Sequence, residues 1–507
     1  MSVLARILVV GGGSAGWITA TYLDAALNGL GPNRRPVIEI SLVEGSQVEQ
    51  TVAEEATVPS IRETLRTVGL REAEVMRRTQ ATFMHGILYR DWNGAGHEFF
   101  HPFDRHHSPG PLDRSGADWM LSDGSVPFAD LVSSQPRLAR SGYAPKLDFT
   151  NEYLGPMDYA YQLDAEALVA LFRQTGLSRG VSAFAGDVGQ VVLQCDTGCV
   201  DHVILKNGRV IKADLFVDCS GFAAVLIGEA LQIGFQDDRD LLPCDSAVVM
   251  HSRFAVGMAA HPYTSVTAMP AGWRWSSGLR NSRVAGYVYS SSFCSDEAAE
   301  AELRSAVKDE VQPARLLRFP VGRRDRAWAG NVVAIGSSAA FIEPLESTGL
   351  FLIERAARLL AEYFPFCGAG NASPLRDRFN LVFEQEYMAI RDLVVLHYVL
   401  ALRADTDFWK EARTPSRRPD SLTRLLDIWT HKPPSRSDIE MDSAHFGIRN
   451  FEYVLYGLDW RNMSARPGSA GKTPLRNPEV EAKAAQMMRE LPHHLSFLGG
   501  NFENGYL

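Results

Sequence analysis

The chain has 507 residues, of which 46% are hydrophobic and 22% charged, an ordinary balance for a globular protein. Its formal net charge of -9 argues against a polyanion-binding surface, so nucleic acid is not an expected partner. No apolar run approaches the roughly 20 residues of a membrane span and no signal segment is apparent, so we expect a cytoplasmic protein without membrane association. The six scattered cysteines predict neither a disulfide framework nor a metal site.

The N-terminal sequence ARILVVGGGSAGWITA predicts a strand, a glycine-rich turn and a helix. Gly11, Gly13 and Gly16 have the spacing that lets a backbone approach a pyrophosphate at a helix N-terminus. A second predicted strand, residues 37–44, ends in Glu44, whose carboxylate could accept a hydrogen bond from a ribose hydroxyl. The pattern predicts FAD or NAD binding and disfavours NADP.

Two later segments favour FAD over NAD. Residues 213–222 predict a buried strand that runs into a Ser-Gly turn. Residues 331–350 predict a strand, a turn at Gly336 and then a helical stretch. A chain that returns to its nucleotide-binding sheet in such widely spaced segments is typical of the large FAD-binding folds.

The sequence ATFMHGILYRDW, residues 81–92, reads as a single strand. Alternation places Phe83, His85 and Ile87 on one face. Met84 then lies on the other face, where a methionine is most often core filling.

A long helical pattern covers residues 374–403. Its apolar stripe has the spacing of one helix face that packs on a core. The stripe consists of Phe379, Phe383, Tyr387, Ile390, Val394 and Tyr398.

Together these segments resemble the flavin-dependent tryptophan halogenases. The resemblance extends from residue 5 to about residue 460, and several of its stretches are long and unusual in composition. They include GGGSAGW (11–17), EEATVPSIRETL (54–65), HPF (101–103), DLFVDCSGF (214–222), AGWRW (271–275), RFPVGRRDRAW (318–328), EPLESTGL (343–350) and IRDLVVLHY (390–398).

The resemblance implies an α/β fold. It has an FAD-binding nucleotide domain of the GR2, p-hydroxybenzoate-hydroxylase-like type, a mixed-sheet substrate region and a helical C-terminal part. The FAD-binding domain is expected to be discontinuous, over residues 1–110, 150–225 and 315–365. Residues 226–314 would form the sheet-rich substrate and screen region, and residues 366–507 the helical substrate-side region.

The resemblance also implies the chemistry. In this family a separate flavin reductase supplies FADH2, which reacts with O2 and converts a halide ion to hypohalous acid. The acid travels through a tunnel to an electron-rich aromatic small molecule such as an indole, where a lysine and a glutamate act. Relatives are often homodimers. The expected cofactors are therefore FAD, as FADH2, and halide.

Particular residues match family positions. Glu346 matches the acidic catalytic residue, with Ser347 beside it, and the backbone of Thr348 and Gly349 could bind halide in a tight turn. The expected cofactor-binding residues are Gly11, Gly13, Ser14, Ala15, Gly16, Glu44, Ala56, Val188, Gly336, Ser337 and Leu350. The expected substrate-lining residues are His101, Phe103, Trp273, Trp275 and Trp460.

Two family features are altered. The family has lysine where this chain has Met84, and a thioether cannot hold a halogen electrophile as an amine does. Hypohalous acid should also oxidise a methionine. In the screening motif Trp-x-Trp-x-Ile-Pro, the last two residues are replaced by Ser277 and Gly278, and loss of proline is expected to loosen the backbone at that turn.

Three functions therefore remain open at this point. The first is an FADH2-dependent halogenase acting on an electron-rich aromatic. The second is an FAD-dependent monooxygenase or oxidase derived from the halogenase fold, and the third is a non-catalytic FAD-binding relative.

Overall fold

The computed structural model describes residues 5–31, 37–46, 54–104, 113–254, 260–307, 312–365, 373–439, 446–461 and 476–503. The chain forms two compact units, each assembled from three separate segments. The first unit comprises Met1–Thr79, Leu163–Asp238 and Phe319–Tyr387, and the second comprises Gln80–Gln162, Arg239–Arg318 and Met388–Leu507. The functional division into three regions stays a prediction.

The strands are β1 (Ala5–Val10), β2 (Ile38–Glu44), β3 (Glu54–Ala56), β4 (Thr82–Met84), β5 (Gly86–Arg90), β6 (Glu98–Pro102), β7 (Ala160–Asp164), β8 (Ser182–Ala185), β9 (Val188–Leu193), β10 (Val200–Leu205), β11 (Val210–Lys212), β12 (Leu215–Asp218), β13 (Phe235–Asp237), β14 (Ser246–Arg253), β15 (Thr264–Met269), β16 (Gly272–Gly278), β17 (Ser282–Tyr289), β18 (Arg315–Arg318), β19 (Gly322–Arg324), β20 (Trp328–Ala329), β21 (Val332–Ala334) and β22 (Ala340–Phe341).

The helices are α1 (Ser14–Asn28), α2 (Ile61–Thr67), α3 (Glu72–Arg78), α4 (Ser115–Leu121), α5 (Phe128–Val132), α6 (Gln135–Arg140), α7 (Ala165–Ser178), α8 (Asp296–Ala306), α9 (Thr348–Glu362), α10 (Ser373–Leu400), α11 (Asp407–Ala412), α12 (Asp420–Trp429), α13 (Ile448–Gly457), α14 (Pro478–Glu490) and α15 (His494–Glu503). The helical C-terminal part predicted from the resemblance is confirmed.

The first unit is built on a six-stranded sheet in the order β20-β21-β12-β1-β2-β8, parallel except for β20. Strand β1 is an unbroken apolar run, with Ile7, Leu8 and Val9 fully buried, because a central parallel strand is covered on both faces. Helix α1 packs against α7 and α9. The predicted strand–turn–helix at the N-terminus and the later return to its sheet are confirmed.

One expectation in this unit was wrong. The helix expected soon after Gly336 begins only at Thr348. Two short 3-10 turns and strand β22 come first. Pro344 lacks a backbone N–H, and Ser347 has left-handed backbone angles with φ 58°, so a helix cannot run through this stretch.

The second unit is built on a seven-stranded sheet in the order β18-β14-β17-β16-β15-β5-β6, antiparallel except for β15 and β5. The prediction of a single strand over residues 81–92 was wrong. The chain forms β4, which pairs with β7, and then β5, in a different sheet. The break lies at His85 and Gly86. The φ of Gly86 is +154°, and a Cβ on Gly86 would stand 2.1 Å from the carbonyl oxygen of His101.

The long helix predicted over residues 374–403 is confirmed as α10, and it ends three residues early. Every residue of its predicted apolar stripe is buried, because the stripe faces a core. Among the helices that the described ranges contain, none combines the length and the apolar character needed to cross a membrane.

Candidate active site

The first unit contains a cavity of about 490 Å³ beside the glycine-rich turn. The turn after β1, the end of β2, the start of α7 and the first turns of α9 contribute to its wall. The predicted site residues that line it are Gly11, Gly13, Ser14, Ala15, Val188, Gly336, Ser337 and Gly349. The predicted residues Gly16, Glu44, Ala56, Glu346, Ser347, Thr348 and Leu350 are not in its wall.

At two glycines of this turn, the backbone lies so close to another backbone segment that there is no room for a side chain. A Cβ on Gly11 would stand 2.0 Å from the carbonyl oxygen of Cys219, and the φ of Gly11 is +127°. A Cβ on Gly16 would stand 1.8 Å from the carbonyl oxygen of Gly11. Both distances are impossible for a side chain, so the turn requires glycine at these positions.

The wall at α1 fits a pyrophosphate. Helix α1 begins after Gly13 without a side-chain cap and with no acidic residue in its first turn. Its first N–H groups have no partner within the helix, and the helix dipole favours an anion there. Gly12, Ser14 and Ala15 at this end all line the cavity.

The carboxylate of Glu44 is already engaged. Glu44 Oε1 accepts hydrogen bonds from Trp17 Nε1 at 3.0 Å and from Arg173 Nε at 2.7 Å. The second oxygen accepts from Arg173 at 3.1 Å, and these bonds, with Arg173 contributing most, lower the pKa of Glu44. Two other acids, Glu166 and Asp187, line the cavity and were missed by sequence reasoning. No local motif marks them, because long-range strand pairing brings them there.

The segment that holds the predicted catalytic glutamate is a tight turn before α9. Glu346 is buried in a 3-10 turn, and Ser347 follows with its left-handed backbone. Helix α9 then begins at Thr348 without a side-chain cap, so its first N–H groups are available to an anion. Pro344 and Gly349, on either side of Glu346, line the cavity.

In the second unit, Met84 is completely buried at the end of β4. Its sulfur accepts a hydrogen bond from Thr264 Oγ1 at 3.6 Å. In the pairing of β4 with β7, Thr82 and Met84 lie opposite Gln162 and Ala160, so these four side chains share one face of the pair.

A buried lysine lies on the other face of β4, and sequence reasoning missed it. Lys146 is 1% exposed, and its Nζ lies 3.4 Å from the hydroxyl of Tyr159. The ring of Tyr159 packs edge-on against Phe83, with centroids 5.3 Å apart. Because Phe83 and Met84 point to opposite faces of β4, Lys146 does not take the place of the lysine that Met84 replaces.

His85 joins several segments around this break. Its ring Nε2 lies 3.0 Å from the carbonyl oxygen of Tyr143, and its Nδ1 lies 3.1 Å from Gln135 Nε2. Burial lowers the pKa of His85 to about 4, so the ring is neutral near pH 7. The His85 carbonyl accepts a hydrogen bond from the Phe103 N–H at 2.9 Å, and so positions a predicted substrate residue.

The other predicted substrate residues lie on three elements. His101 is buried in β6, with Nε2 2.9 Å from Asn450 Oδ1. Trp273 and Trp275 are both in β16, with ring centroids 6.0 Å apart. Trp460 is half-buried just after α13, where its N–H donates to the Leu455 carbonyl at 3.1 Å.

The expectation that the altered end of the screening motif lies at a turn was wrong, and the loosening expected there stays a prediction. Ser277 and Gly278 form the end of strand β16 and not a turn. The Gly278 N–H donates to Gln162 Oε1 at 2.6 Å, a bond that proline could not make.

Within the described ranges, no group of three or more His, Cys, Asp or Glu side chains could hold a metal ion. The five cysteines that these ranges contain are free thiols, and burial raises the pKa of Cys219 beside the cavity.

The family model described as tryptophan halogenase matches residues 6–472. The chain is 32% identical over 519 residues to tryptophan 6-halogenase SttH of Streptomyces toxytricini, covering 96% of this chain and 94% of that one.

Solved structures agree with this match. The tryptophan halogenase of Shewanella frigidimarina superimposes with a TM-score of 0.91 at 30% identity, covering 100% of this chain and 99% of that one. BrvH, a flavin-dependent halogenase from Brevundimonas sp. BAL3, superimposes with a TM-score of 0.82 at 33% identity, covering 99% and 100%. These matches extend over nearly the whole length, confirm the predicted fold class and show that the chain belongs to the tryptophan halogenase family.

Proposed function

We propose that this protein uses FADH2, O2 and a halide ion to halogenate an indole-like or other electron-rich aromatic, with reduced flavin supplied by a separate reductase. The chain is a flavin-dependent, halogenase-family oxidoreductase, and this family uses FADH2 and halide. SttH is named for position 6 of tryptophan. For this chain we propose the class of aromatic only.

The observation that carries the proposal is the cavity of the first unit. The glycine turn brings backbone N–H groups to one part of its wall, and the start of α9 brings them to another. The residues present therefore fit FAD, with Gly11, Gly13, Ser14 and Ala15 at the pyrophosphate. When bound, FADH2 supplies the two electrons that let O2 oxidise halide.

The remaining roles are those of the family positions that these residues match. The backbone N–H groups of Thr348 and Gly349 would hold the halide ion. The carboxylate of Glu346 would stabilise the positive charge on the attacked ring and accept the proton that leaves the reacting carbon. Overall, the ring C–H becomes a C–halogen bond and one O2 becomes two waters. Two of the four electrons come from FADH2, and two come from the arene and halide.

Met84 is the residue expected to limit the rate. It has no N–H to hold a halogen electrophile, and it is buried at the position where the family has lysine. We expect the protein itself to give halogenated product slowly. The variant Met84→Lys should raise the amount of halogenated product at least about tenfold, which is within the range that a positioned catalytic group contributes. Met84→Leu keeps the volume without an amine and should not raise it.

The assay uses purified protein, a flavin reductase, FAD, bromide and a panel of indoles and phenols, read by mass spectrometry. Brominated product that increases in Met84→Lys and not in Met84→Leu supports the proposal. A product heavier by one oxygen, formed without halide, would instead show a monooxygenase. Bound FAD without O2 consumption would show a non-catalytic relative.

A further inference from the structure

The end of the tryptophan-bearing strand β16 is held by two buried side chains from the β4–β7 pair. Thr82 Oγ1 donates a hydrogen bond to the Gly278 carbonyl oxygen at 2.6 Å. The Gly278 N–H donates to Gln162 Oε1 at 2.6 Å. Both side chains are 0% exposed and directly opposite each other in the strand register. We call this arrangement the Thr82–Gln162 clamp.

The clamp supplies hydrogen bonds to the end of β16, which the neighbouring strand β15 does not pair. Strand β15 pairs with β16 only as far as Ser276, so Gly278 lies beyond the last partner on that side. Buried backbone N–H and C=O groups need hydrogen bonds, and the clamp supplies one to each. Because a backbone N–H can only donate, the oxygen of the Gln162 amide must be the atom that faces it.

Position 278 has no room for a side chain and therefore favours glycine. A Cβ at this position would stand 2.7 Å from the Cβ and 2.9 Å from the Cα of Ala260. Proline would in addition remove the N–H that Gln162 binds. Glycine in place of the family's proline at position 278 therefore provides the N–H that Gln162 binds.

The clamp ties two functionally important positions together. Thr82 is two residues before Met84 and on the same face of β4. The second position is the Trp275 indole in β16, whose location depends on the register of that strand. The indole lies over Gly286, whose Cβ would stand 1.9 Å from the ring. A shift at the end of β16 would therefore move the indoles relative to Met84.

We propose that Thr82 and Gln162 are positioning residues that set the tryptophan strand relative to Met84 and so determine which ring carbon of the bound aromatic reacts. This inference rests on the proposed function and adds to it a structural basis for the choice of the reacting carbon. Electrophilic attack on an indole can occur at several carbons, so a displacement of about 1 Å is enough to change the product.

Four variants test the clamp. Thr82→Val and Gln162→Leu each remove one of the two hydrogen bonds with little change in volume. Thr82→Ser keeps the hydroxyl and is the rescue variant. Ser265→Ala is a control on β15, because Ser265 pairs with Ser276 outside the clamp.

The first measurement is independent of catalysis. Hydrogen–deuterium exchange of the Gly278 amide should be faster in Gln162→Leu by about fivefold, since this variant removes the acceptor. Thr82→Val should accelerate it less, and Thr82→Ser and Ser265→Ala should behave like the wild type. Unchanged exchange in Gln162→Leu would overturn the clamp.

The second measurement is the ratio of halogenated regioisomers, taken with the amount of bound FAD. Thr82→Val and Gln162→Leu should give a mixed product with FAD binding unchanged, and Thr82→Ser should restore the wild-type ratio. Faster exchange with an unaltered ratio would show a merely structural contact and overturn the inference. Faster exchange with no halogenation by any variant, the wild type included, would overturn the proposed function and with it the selectivity role.

Discussion

Glu354 is a buried carboxyl group on α9, the helix whose first turn lines the cavity of the first unit. It is 2% exposed, and Oε2 accepts a hydrogen bond from Thr64 Oγ1 at 2.6 Å. Burial raises the pKa of Glu354 to about 8, and the nearby charges of Arg358 and Glu63 act in opposite directions. Glu354 is therefore protonated near pH 7, and it joins α9 to α2 as a neutral group.

The variant Glu354→Gln should be more stable than the wild type at alkaline pH. With a raised folded-state pKa, the wild type loses stability as the pH rises from about 4.5 through about 8, because the unfolded chain releases its proton first. The pH-dependent part of the difference in the free energy of unfolding should approach zero below pH 4.5 and reach on the order of 5 kcal/mol at pH 9. Thermal unfolding across this range measures it.

Glu300→Gln is the matched control, because Glu300 is an exposed glutamate on α8. Its unfolding should follow the wild type at every pH. A Glu354→Gln protein whose advantage did not grow with pH would show that Glu354 is ionised in the fold.

At the scale of elements, the C-terminal helix α15 is anchored on β4 by its first residue. His494 Nε2 accepts a hydrogen bond from the Phe83 N–H at 3.2 Å, and Nδ1 lies 3.3 Å from the Ala260 carbonyl oxygen. Phe497, one turn later, packs edge-on against Phe83 with centroids 5.2 Å apart. The strand that carries Met84 is thus held by helix α15.

This anchor should fail in acid. Burial lowers the pKa of His494 to about 3, so the folded protein holds the ring neutral and able to accept the Phe83 N–H. The stabilisation is complete above the unfolded pKa of about 6.5 and is lost as the pH falls toward 3. The protection of the α15 amides against hydrogen exchange, corrected for the intrinsic exchange rate at each pH, should therefore fall between pH 6 and pH 4.

The variant His494→Gln cannot titrate in this range, so the corrected protection of its α15 amides should vary less with pH than that of the wild type. His431→Gln, on a turn after α12, is the control and should keep the wild-type profile. Equal pH profiles for His494→Gln and the wild type would assign the acid sensitivity to another group, such as His85.

At the scale of the whole molecule, the wall of the first unit's cavity is formed by all three segments of that unit. Gly11 comes from the first segment, Ser220 from the second and Gly349 from the third. A ligand bound there contacts parts of the chain more than 300 residues apart in sequence. Its binding energy therefore adds directly to the stability of this unit.

We expect FAD to raise the melting temperature of the wild type. At a concentration 100 times the Kd the gain is about 2.7 kcal/mol. Gly16→Ala should lose this shift, because its Cβ would overlap the Gly11 carbonyl oxygen. Gly499→Ala, where a Cβ meets nothing within 4 Å, should keep it. A full FAD shift in Gly16→Ala would contradict the proposed pyrophosphate site.

The sequence by itself determined the features that depend on local pattern. The glycine turn and α1 were predicted because the spacing of Gly11, Gly13 and Gly16 is a local pattern, and the atom that excludes a side chain at Gly16 is the nearby carbonyl oxygen of Gly11. The buried stripe of α10 was predicted because helical periodicity is a property of consecutive residues. The family was predicted from long motifs that the comparisons confirm.

Only the tertiary structure decided which distant side chains form hydrogen bonds with these motifs. Arg173 binds Glu44 across 129 residues, and Gln162 binds Gly278 across 116. Lys146 lies near β4, but on the face opposite to Met84. No local pattern records such pairs, because strand pairing and packing bring them together.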